Sequence, residues 1–307
     1  MALIMAVVLV ALATVLAVSI GFSSAMTARR STATYSVEQG LLFAEGAEAL
    51  AAYVLQQDTN RNEDSASEFW TRPYGPVEIA PEITLEAQLF DEQGKFNLNT
   101  LLNADGTVDT DALAVFKRML ELLQIESRWA PLLVDWLDEN DIPESEGGED
   151  SLYAGQTPAG RTGNLTLTSV SELLQLPGFG RERYLKLAPH VTALPPEVGK
   201  INVCLATPIV LDALHALAEN PTATVEYSQL DPVQFAKNRA GGCYPTETTL
   251  KTVVGGAKIA TRISSTTGYF SLHTLVSIGT TRFALYSLMQ RDGSGQIRPI
   301  LRTFGTD

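Results

Sequence analysis

The first 28 residues carry no charged side chain, and this feature constrains the fold more than any other. Residues 1–18 are almost entirely Ala, Val, Leu, Ile and Met. A helix needs roughly 20 apolar residues to cross a bilayer, so the segment predicts a membrane-spanning helix. It is longer than the apolar part of an ordinary signal peptide, and no basic segment precedes it. We therefore expect a single-pass membrane protein.

The charges that follow this segment leave its orientation open. Arg29 and Arg30 are the first charged residues, and the positive-inside bias would place them, with the rest of the chain, in the cytoplasm. An acidic cluster and a cysteine pair favour the opposite side. A short basic leader removed before Met1 would resolve the conflict. Apolar residues then recur at helical spacing over residues 27–55, so one helix is expected to continue into a globular head.

An acidic segment lies between two apolar flanks near the middle of the chain. Eight carboxylates fall between Asp135 and Asp150 without a single Lys or Arg, in a chain whose net charge is −13. Calcium takes six to eight oxygen ligands, and Gly147 and Gly148 would let such a loop fold back. The alternative is a solvated acidic loop, because no EF-hand spacing is present. The predicted ligands are Asp138, Asp141, Glu149 and Asp150, with Asp135 and Glu146 as second choices.

The remaining pattern separates a helical block from strand blocks, which indicates an α+β fold. Residues 65–81 read as a loop. Strands are predicted at 83–90, 95–99, 201–205, 258–264, 269–278, 282–290 and 296–303, and helices at 111–123, 127–137, from the Ser169 and Glu172 capping box, and from Gly180 to Pro189. Chain organisation is predicted as 1–25 (membrane part of the helix), 26–102 (stem and first strands), 103–198 (inserted α-domain) and 199–307 (remaining strands).

Other motifs offer little chemistry. Cys204 and Cys243 form either one disulfide, in an oxidising compartment, or two unrelated buried thiols. The sequence LPGFG at residues 176–180 is typical either of a phosphate-binding helical hairpin or of a packed helix–helix turn. The acidic composition of the chain favours the turn and argues against a nucleic-acid-binding protein. The three histidines are scattered, with no nucleophile motif beside them, so catalysis is not expected.

Several segments together resemble the K minor pseudopilin of bacterial type II secretion systems. They are MALIMAVVLVALATVLAV at the N-terminus, LFDEQGKFNLNTLLN at 89–103, LVDWLDENDIP and GGEDSLY within 133–153, SVSELLQLPGFGRERYLKLAPHVTALP at 169–195, and KINVCLA at 200–206. The likeness covers nearly the whole chain. It implies a pilin-like fold, with a long N-terminal helix packed on an antiparallel sheet and a large inserted all-α domain.

The resemblance also implies sites and partners. It implies bound Ca²⁺ in the inserted domain, a disulfide between Cys204 and Cys243, and cleavage by prepilin peptidase that leaves Met1 as the mature, methylated residue. The assembly partners would be the I and J minor pseudopilins, together with H, and the assembly helix would present Met5, Leu9, Leu12 and Leu16. The protein would be anchored in the inner membrane with a periplasmic head.

Position five distinguishes this chain from most pilin-type subunits. Those subunits carry a Glu there that can neutralise the terminal amine of a neighbour, whereas this chain has Met5. A carboxylate without a partner is costly in lipid, so a subunit with no neighbour beyond it gains nothing from keeping one. The resemblance therefore implies a subunit that caps the pseudopilus tip and initiates its assembly. The rival interpretation is a membrane-anchored periplasmic calcium-binding enzyme or adhesion module.

Overall fold

A single helix forms the N-terminal sixth of the molecule. A computed structural model describes residues 1–218 and 225–305, and in it α1 runs without interruption from Ala2 to Gln56. The helix continues through Gly21, Gly40 and Gly46 without interruption, and its first buried residue is Gly40. Its apolar first part is long enough to cross a membrane and is not covered by the rest of the chain. The predicted continuous helix is confirmed.

The second half of α1 packs on a five-stranded antiparallel sheet with the strand order β1-β2-β7-β8-β9. The three central strands carry recurring buried residues because one face of the sheet lies against the helix, whereas the two edge strands are mostly exposed. Their bounds are β1 (Tyr74–Ala80), β2 (Ile83–Asp91), β7 (Tyr269–Ile278), β8 (Thr281–Arg291) and β9 (Ile297–Gly305).

Small residues bring α1 close to the sheet. Ala44, Ala47 and Ala51 are buried against it, and a Cβ at Gly40 would lie 3.1 Å from the Cβ of Phe283. One charged contact fastens the same interface. Glu48 is 4% exposed and accepts hydrogen bonds of 2.6 Å and 2.9 Å from the guanidinium of Arg302 on the last strand.

The chain between β2 and β7 forms a second, mainly helical body. Its helices are α2 (Thr110–Leu122), α3 (Trp129–Leu137), α4 (Asp150–Ala154), α5 (Gly180–Leu187), α6 (Pro208–Ala213), α7 (Pro232–Ala240), α8 (Glu247–Val254) and α9 (Ala257–Arg262). Two parallel pairs of two-residue strands join them: β3 (Phe96–Asn97) with β4 (Val191–Thr192), and β5 (Ile201–Asn202) with β6 (Ile263–Ser264). One core extends from Phe96 to Ile263, on both sides of the predicted boundary at 198; the division into domains stays a prediction.

Buried asparagine amides hold the loops of this body in place. Asn99 is 3% exposed; its Nδ2 donates to the carbonyls of Leu167 and Leu194, and its Oδ1 accepts from the Leu167 N–H. Asn97 similarly donates to the carbonyls of Pro195 and Val198. A buried amide with all its groups paired fixes the position of distant backbone segments. Sequence patterning gave no sign of this role.

Five predicted elements differ from the structure. The strands predicted at 95–99 and 201–205 are only two residues long, and the first is followed by a 3₁₀ helix at Leu98–Leu101. Residues 65–81, predicted as a loop, include β1, because an exposed edge strand needs no apolar alternation. Residues 258–264, predicted as a strand, are α9 followed by two strand residues: Gly255 and Gly256, with φ of 70° and 86°, end α8 and allow a new helix to begin. The capping box of Ser169 and Glu172 is formed, but it opens a 3₁₀ helix from Val170 to Gln175.

Candidate functional site

The end of α3 and the start of α4 bring three carboxylates together. Asp135 lies in the last turn of α3, Asp138 follows its end in an extended conformation, and Glu149 directly precedes α4. One oxygen from each lies within 4.8 Å of the others. The three residues expose 0%, 4% and 6% of their surface. The acidic segment is therefore a folded loop whose centre is shielded from water.

Much of the negative charge at this centre has no protein partner. Asp135 accepts backbone N–H groups from Glu144 (3.0 Å) and Gly148 (2.6 Å). Within the described residues, Oδ1 of Asp138 and both carboxylate oxygens of Glu149 are buried without a hydrogen bond. Leaving a buried carboxylate unpaired is costly, because burial removes its hydration. This donor set therefore calls for a cation.

Electrostatics show the same deficit. Burial raises the pKa of the Asp138 carboxyl, and the neighbouring charge of Asp135 raises it further. Burial also raises the pKa of Glu149, and the charges of Asp135, Asp138 and Asp141 act in the same direction. Each shift reports that the ionised form is disfavoured where it stands. Oxygen ligands that are hard, anionic and clustered suit Ca²⁺ better than a transition metal.

The glycine pair permits the close approach of the loop to α3. A Cβ at Gly147 would collide with the carboxylate of Asp135, and a Cβ at Gly148 would lie 2.7 Å from a methyl group of Leu152. These glycines let the backbone run directly over the carboxylates, as the sequence predicted.

The structure does not gather all six predicted ligands. Asp141 and Glu146 are exposed. Asp150 is exposed as well, and its Oδ1 accepts hydrogen bonds from the Thr162 backbone (3.1 Å) and hydroxyl (3.0 Å). The central carboxylates are thus Asp138 and Glu149, predicted first, and Asp135, predicted as a second choice. Metal binding itself stays a prediction.

Three further polar groups near this loop were missed by sequence reasoning. The hydroxyl of Tyr153, Nε1 of Trp136 and Oδ1 of Asn164 are buried and unpaired among the described residues. The rings of Trp136 and Tyr153 lie 5.3 Å apart. Burial raises the pKa of the Tyr153 phenol, and the charges of Asp135 and Glu149 add to the shift, so this side chain stands close to the carboxylates. No sequence spacing marks these residues.

A second cluster of carboxylates differs from the first because it contains an arginine. Asp58, Asp64 and Glu68 also bring oxygens together, but Arg291 lies among them. Its guanidinium is 2.9 Å from Asp64 and 3.3 Å from Asp58. A protein cation already supplies the balancing charge here.

The two cysteines are bonded to each other: Cys204 and Cys243 form a disulfide across 39 residues. The disulfide interpretation is therefore confirmed. The LPGFG segment is a packed turn, with Leu176 and Phe179 buried, and Arg183 is bound to Glu126 at 2.6 Å.

The predicted assembly helix is entirely uncovered. Met5, Leu9, Leu12 and Leu16 are between 55% and 68% exposed, and the helix carries no charge before Arg29. Exposed apolar surface of this extent marks a membrane or protein interface. Exposed apolar side chains continue along α1 into the head at Leu42, Leu50 and Tyr53. There they border an apolar groove of about 390 Å³ between α1 and β1, lined by Val54, Phe69 and Tyr74.

A long N-terminal helix with an uncovered apolar half, packed on an antiparallel sheet that a helical body interrupts, defines a pilin-like subunit. The family model described as type II secretion system, protein K, matches residues 94–196. Proteins called type II secretion system protein K from Pseudomonas aeruginosa and Klebsiella pneumoniae are each 31% identical over 318 residues, which is 99% of this chain and 92% and 93% of theirs.

A solved structure shares the fold. One chain of the GspK–GspI–GspJ complex from the enterotoxigenic Escherichia coli type 2 secretion system superposes with a TM-score of 0.71 at 22% identity, over 91% of this chain and all of that one. The chain described here belongs to the type II secretion system protein K family. It is a minor pseudopilin and not an enzyme, as the sequence analysis predicted.

Proposed function

We propose that this minor pseudopilin caps the tip of the pseudopilus and initiates its assembly with the I and J minor pseudopilins, in support of protein export across the outer membrane. The observation that carries the proposal is the uncovered apolar half of α1. This surface must lie in lipid or against other helices, and a similar fold occurs in a complex named for K, I and J subunits.

The helix suits assembly out of a membrane. From Ala2 to Phe22 it presents apolar side chains on every face. Lipid tails are as apolar as leucine, so leaving the bilayer for a bundle of similar helices costs little hydrophobic energy. Packing between helices then favours the assembled state. The exposed side chains of Leu42, Leu50 and Tyr53 would extend the same contact into the head.

Met5 and the inserted body support a terminal position. A helix without a carboxylate at position five offers no partner to the terminal amine of a subunit beyond it. The helical body between β2 and β7 adds bulk to the head and would block a further subunit sterically. Anchoring in the inner membrane with a periplasmic head, contact with the H pseudopilin, and processing and methylation at Met1 by prepilin peptidase belong to the same proposal.

We further propose that the loop of Asp135, Asp138 and Glu149 holds Ca²⁺. The unpaired oxygens of Asp138 and Glu149 support this, together with the hard donor set. Bound there, the ion would balance the negative charge of the three carboxylates, for which the described residues provide no cation. The loop would then remain closed over the end of α3, which keeps the surface of the head in one conformation.

Full-length proteins in detergent micelles test the assembly role. We expect the chain to form a stable complex with full-length I and J pseudopilins at micromolar concentration, measured by size-exclusion chromatography with light scattering. A Leu9→Gln and Leu12→Gln double variant should lose the complex. The matched control is Leu165→Gln with Leu185→Gln, two exposed leucines of the head. Absence of any complex with the unaltered chain would refute the partnership.

A further inference from the structure

One half-buried arginine lies beside the disulfide. Arg239 is on α7, four residues before Cys243, and its guanidinium stacks over the ring of Phe235 at 4.4 Å. Its Nε donates a 2.8 Å hydrogen bond to the Tyr244 carbonyl. One terminal nitrogen donates to the carbonyls of Val203 (3.1 Å) and Ala206 (2.6 Å).

These carbonyls belong to the two segments that carry the cysteines. Val203 precedes Cys204 and Ala206 follows two residues later, while Tyr244 follows Cys243 directly. A single planar guanidinium therefore bonds backbone on both sides of the S–S bond. Its fixed fork sets the distance and direction between the two segments, which a flexible ammonium does not do.

The hydrogen-bond partners of Arg239 are unusual for a half-buried cation. Arg239 takes part in none of the ion pairs formed within residues 1–218 and 225–305, and burial lowers its pKa to about 10. The charge of Asp91 favours the protonated guanidinium from a distance, but the side chain's direct hydrogen bonds all go to backbone carbonyls. Because its direct polar contacts are all backbone carbonyls, the guanidinium positions backbone rather than balancing a neighbouring charge.

We propose that Arg239 is a positioning residue for the disulfide, which holds Cys204 and Cys243 in bonding register even when both are reduced. Other contacts act in the same sense without depending on the S–S bond. The Cys204 N–H donates to Oδ1 of Asn202 at 3.0 Å, and the Cys243 N–H donates to a Glu63 carboxylate oxygen at 3.2 Å. Arg239 differs from them because it contacts both segments at once.

The chemistry concerned is thiol–disulfide exchange with a small disulfide such as glutathione disulfide. Cys243 is half-buried and Cys204 is fully buried, so Cys243 is assigned as the attacking residue. The Cys243 thiolate attacks glutathione disulfide and releases one glutathione thiolate. The Cys204 thiolate then attacks the mixed disulfide at the Cys243 sulfur and releases the second. Two electrons pass from the cysteine sulfurs to glutathione, and the two released thiolates take up the two protons. Arg239 raises the probability of the second, intramolecular step.

The test is the equilibrium of the full-length protein in detergent micelles with a fixed ratio of reduced and oxidised glutathione. Thiol trapping and mass spectrometry give the ratio of disulfide to dithiol protein. Arg239→Met should lower that ratio by about tenfold or more, since hydrogen bonds from a charged donor contribute on this scale. Arg239→Lys keeps the charge but loses the fork, and it should lower the ratio at least about threefold. Arg298→Met, at an exposed arginine of β9, is the matched control and should leave the ratio unchanged.

A second measurement separates positioning from general stability. Chemical unfolding is measured for the oxidised protein and for a Cys204→Ser and Cys243→Ser variant, each with Arg or Met at position 239. Positioning predicts a larger loss in the oxidised pair, because the Arg and the S–S bond support one another. A merely structural arginine would cause equal losses and leave the glutathione ratio within about twofold of the unaltered protein. That outcome, or a normal ratio for Arg239→Lys if Arg239→Met does not fold, overturns the proposal.

Discussion

Removing calcium should lower the melting temperature of the head through the loop of Asp135, Asp138 and Glu149. The three carboxylates are nearly fully buried, and three of their oxygens have no partner among the described residues. Ligand binding at a concentration one hundred times Kd stabilises a protein by about 2.7 kcal/mol. For a head of this size each kcal/mol corresponds to about 2–4 °C, so chelation should lower Tm by about 5–10 °C.

The assay is thermal unfolding of the full-length protein in detergent micelles, with saturating calcium or with excess chelator. Terbium provides a direct readout of occupancy, because the indole of Trp136 and the phenol of Tyr153 lie beside the carboxylates and can sensitise its emission. Calcium should displace terbium and extinguish the signal.

Matched variants locate the effect. Asp138→Asn with Glu149→Gln should abolish the response to calcium and melt no lower than the chelated protein, because two repelling buried charges are removed. Asp141→Asn with Glu146→Gln changes two exposed carboxylates of the same loop and should keep the full response. An unaltered protein whose Tm is the same in calcium and in chelator would refute the reasoning.

Three other contacts give separate predictions. Burial alone would raise the pKa of Glu48, but hydrogen bonds from Arg302 and Ser287 and the charge of Arg302 outweigh it and lower that pKa. Glu48→Gln should therefore cost about 1–3 kcal/mol at pH 7. The difference, measured by urea unfolding, should be complete above the ordinary carboxyl pKa and should be lost as the pH falls through the lowered pKa of the folded protein. In the same assay, Gly40→Leu should destabilise the folded protein by about 1–3 kcal/mol, because the new side chain would meet the sheet. Gly46→Ala, at a position with open space around it, should stabilise the folded protein by up to about 1 kcal/mol. Equal effects of the two variants would contradict the packing described. Asn99→Ala leaves buried backbone groups unpaired and should lower the free energy of unfolding by at least about 2 kcal/mol, and a neutral result would exclude the bracing role.

Sequence patterning recovered the elements whose burial is periodic. Residues 269–278 were predicted as a strand with the bounds that the structure shows, because one face of β7 lies on the core. The continuous α1 followed from apolar spacing without proline. The sequence pattern did not predict β1 because it is an exposed edge strand containing Pro76. It did not predict α9 because the Ile and Thr residues of this helix favour a strand, unless the glycine pair before it is taken into account.

The candidate site was recovered as a loop but only partly as a set of ligands. Asp135 was ranked low because it lies within a helix, yet the last turn of α3 directs it to the loop. Asp150 is one of the four favoured ligands, but its side chain instead accepts hydrogen bonds from Thr162. Contacts between distant segments decide such cases, as they do for Arg239, whose carbonyl partners lie up to 36 residues away. A single sequence carries no local signal of them.

We propose above that this subunit occupies the end of the pseudopilus. The most direct test of this proposal is to tag the head with a small epitope, assemble pseudopili together with the other pseudopilins, and count gold labels on each filament by electron microscopy. We expect one label at one end of each filament and none along its length. Labels distributed along the filament, or filaments that form in equal number without this subunit, would contradict the proposal.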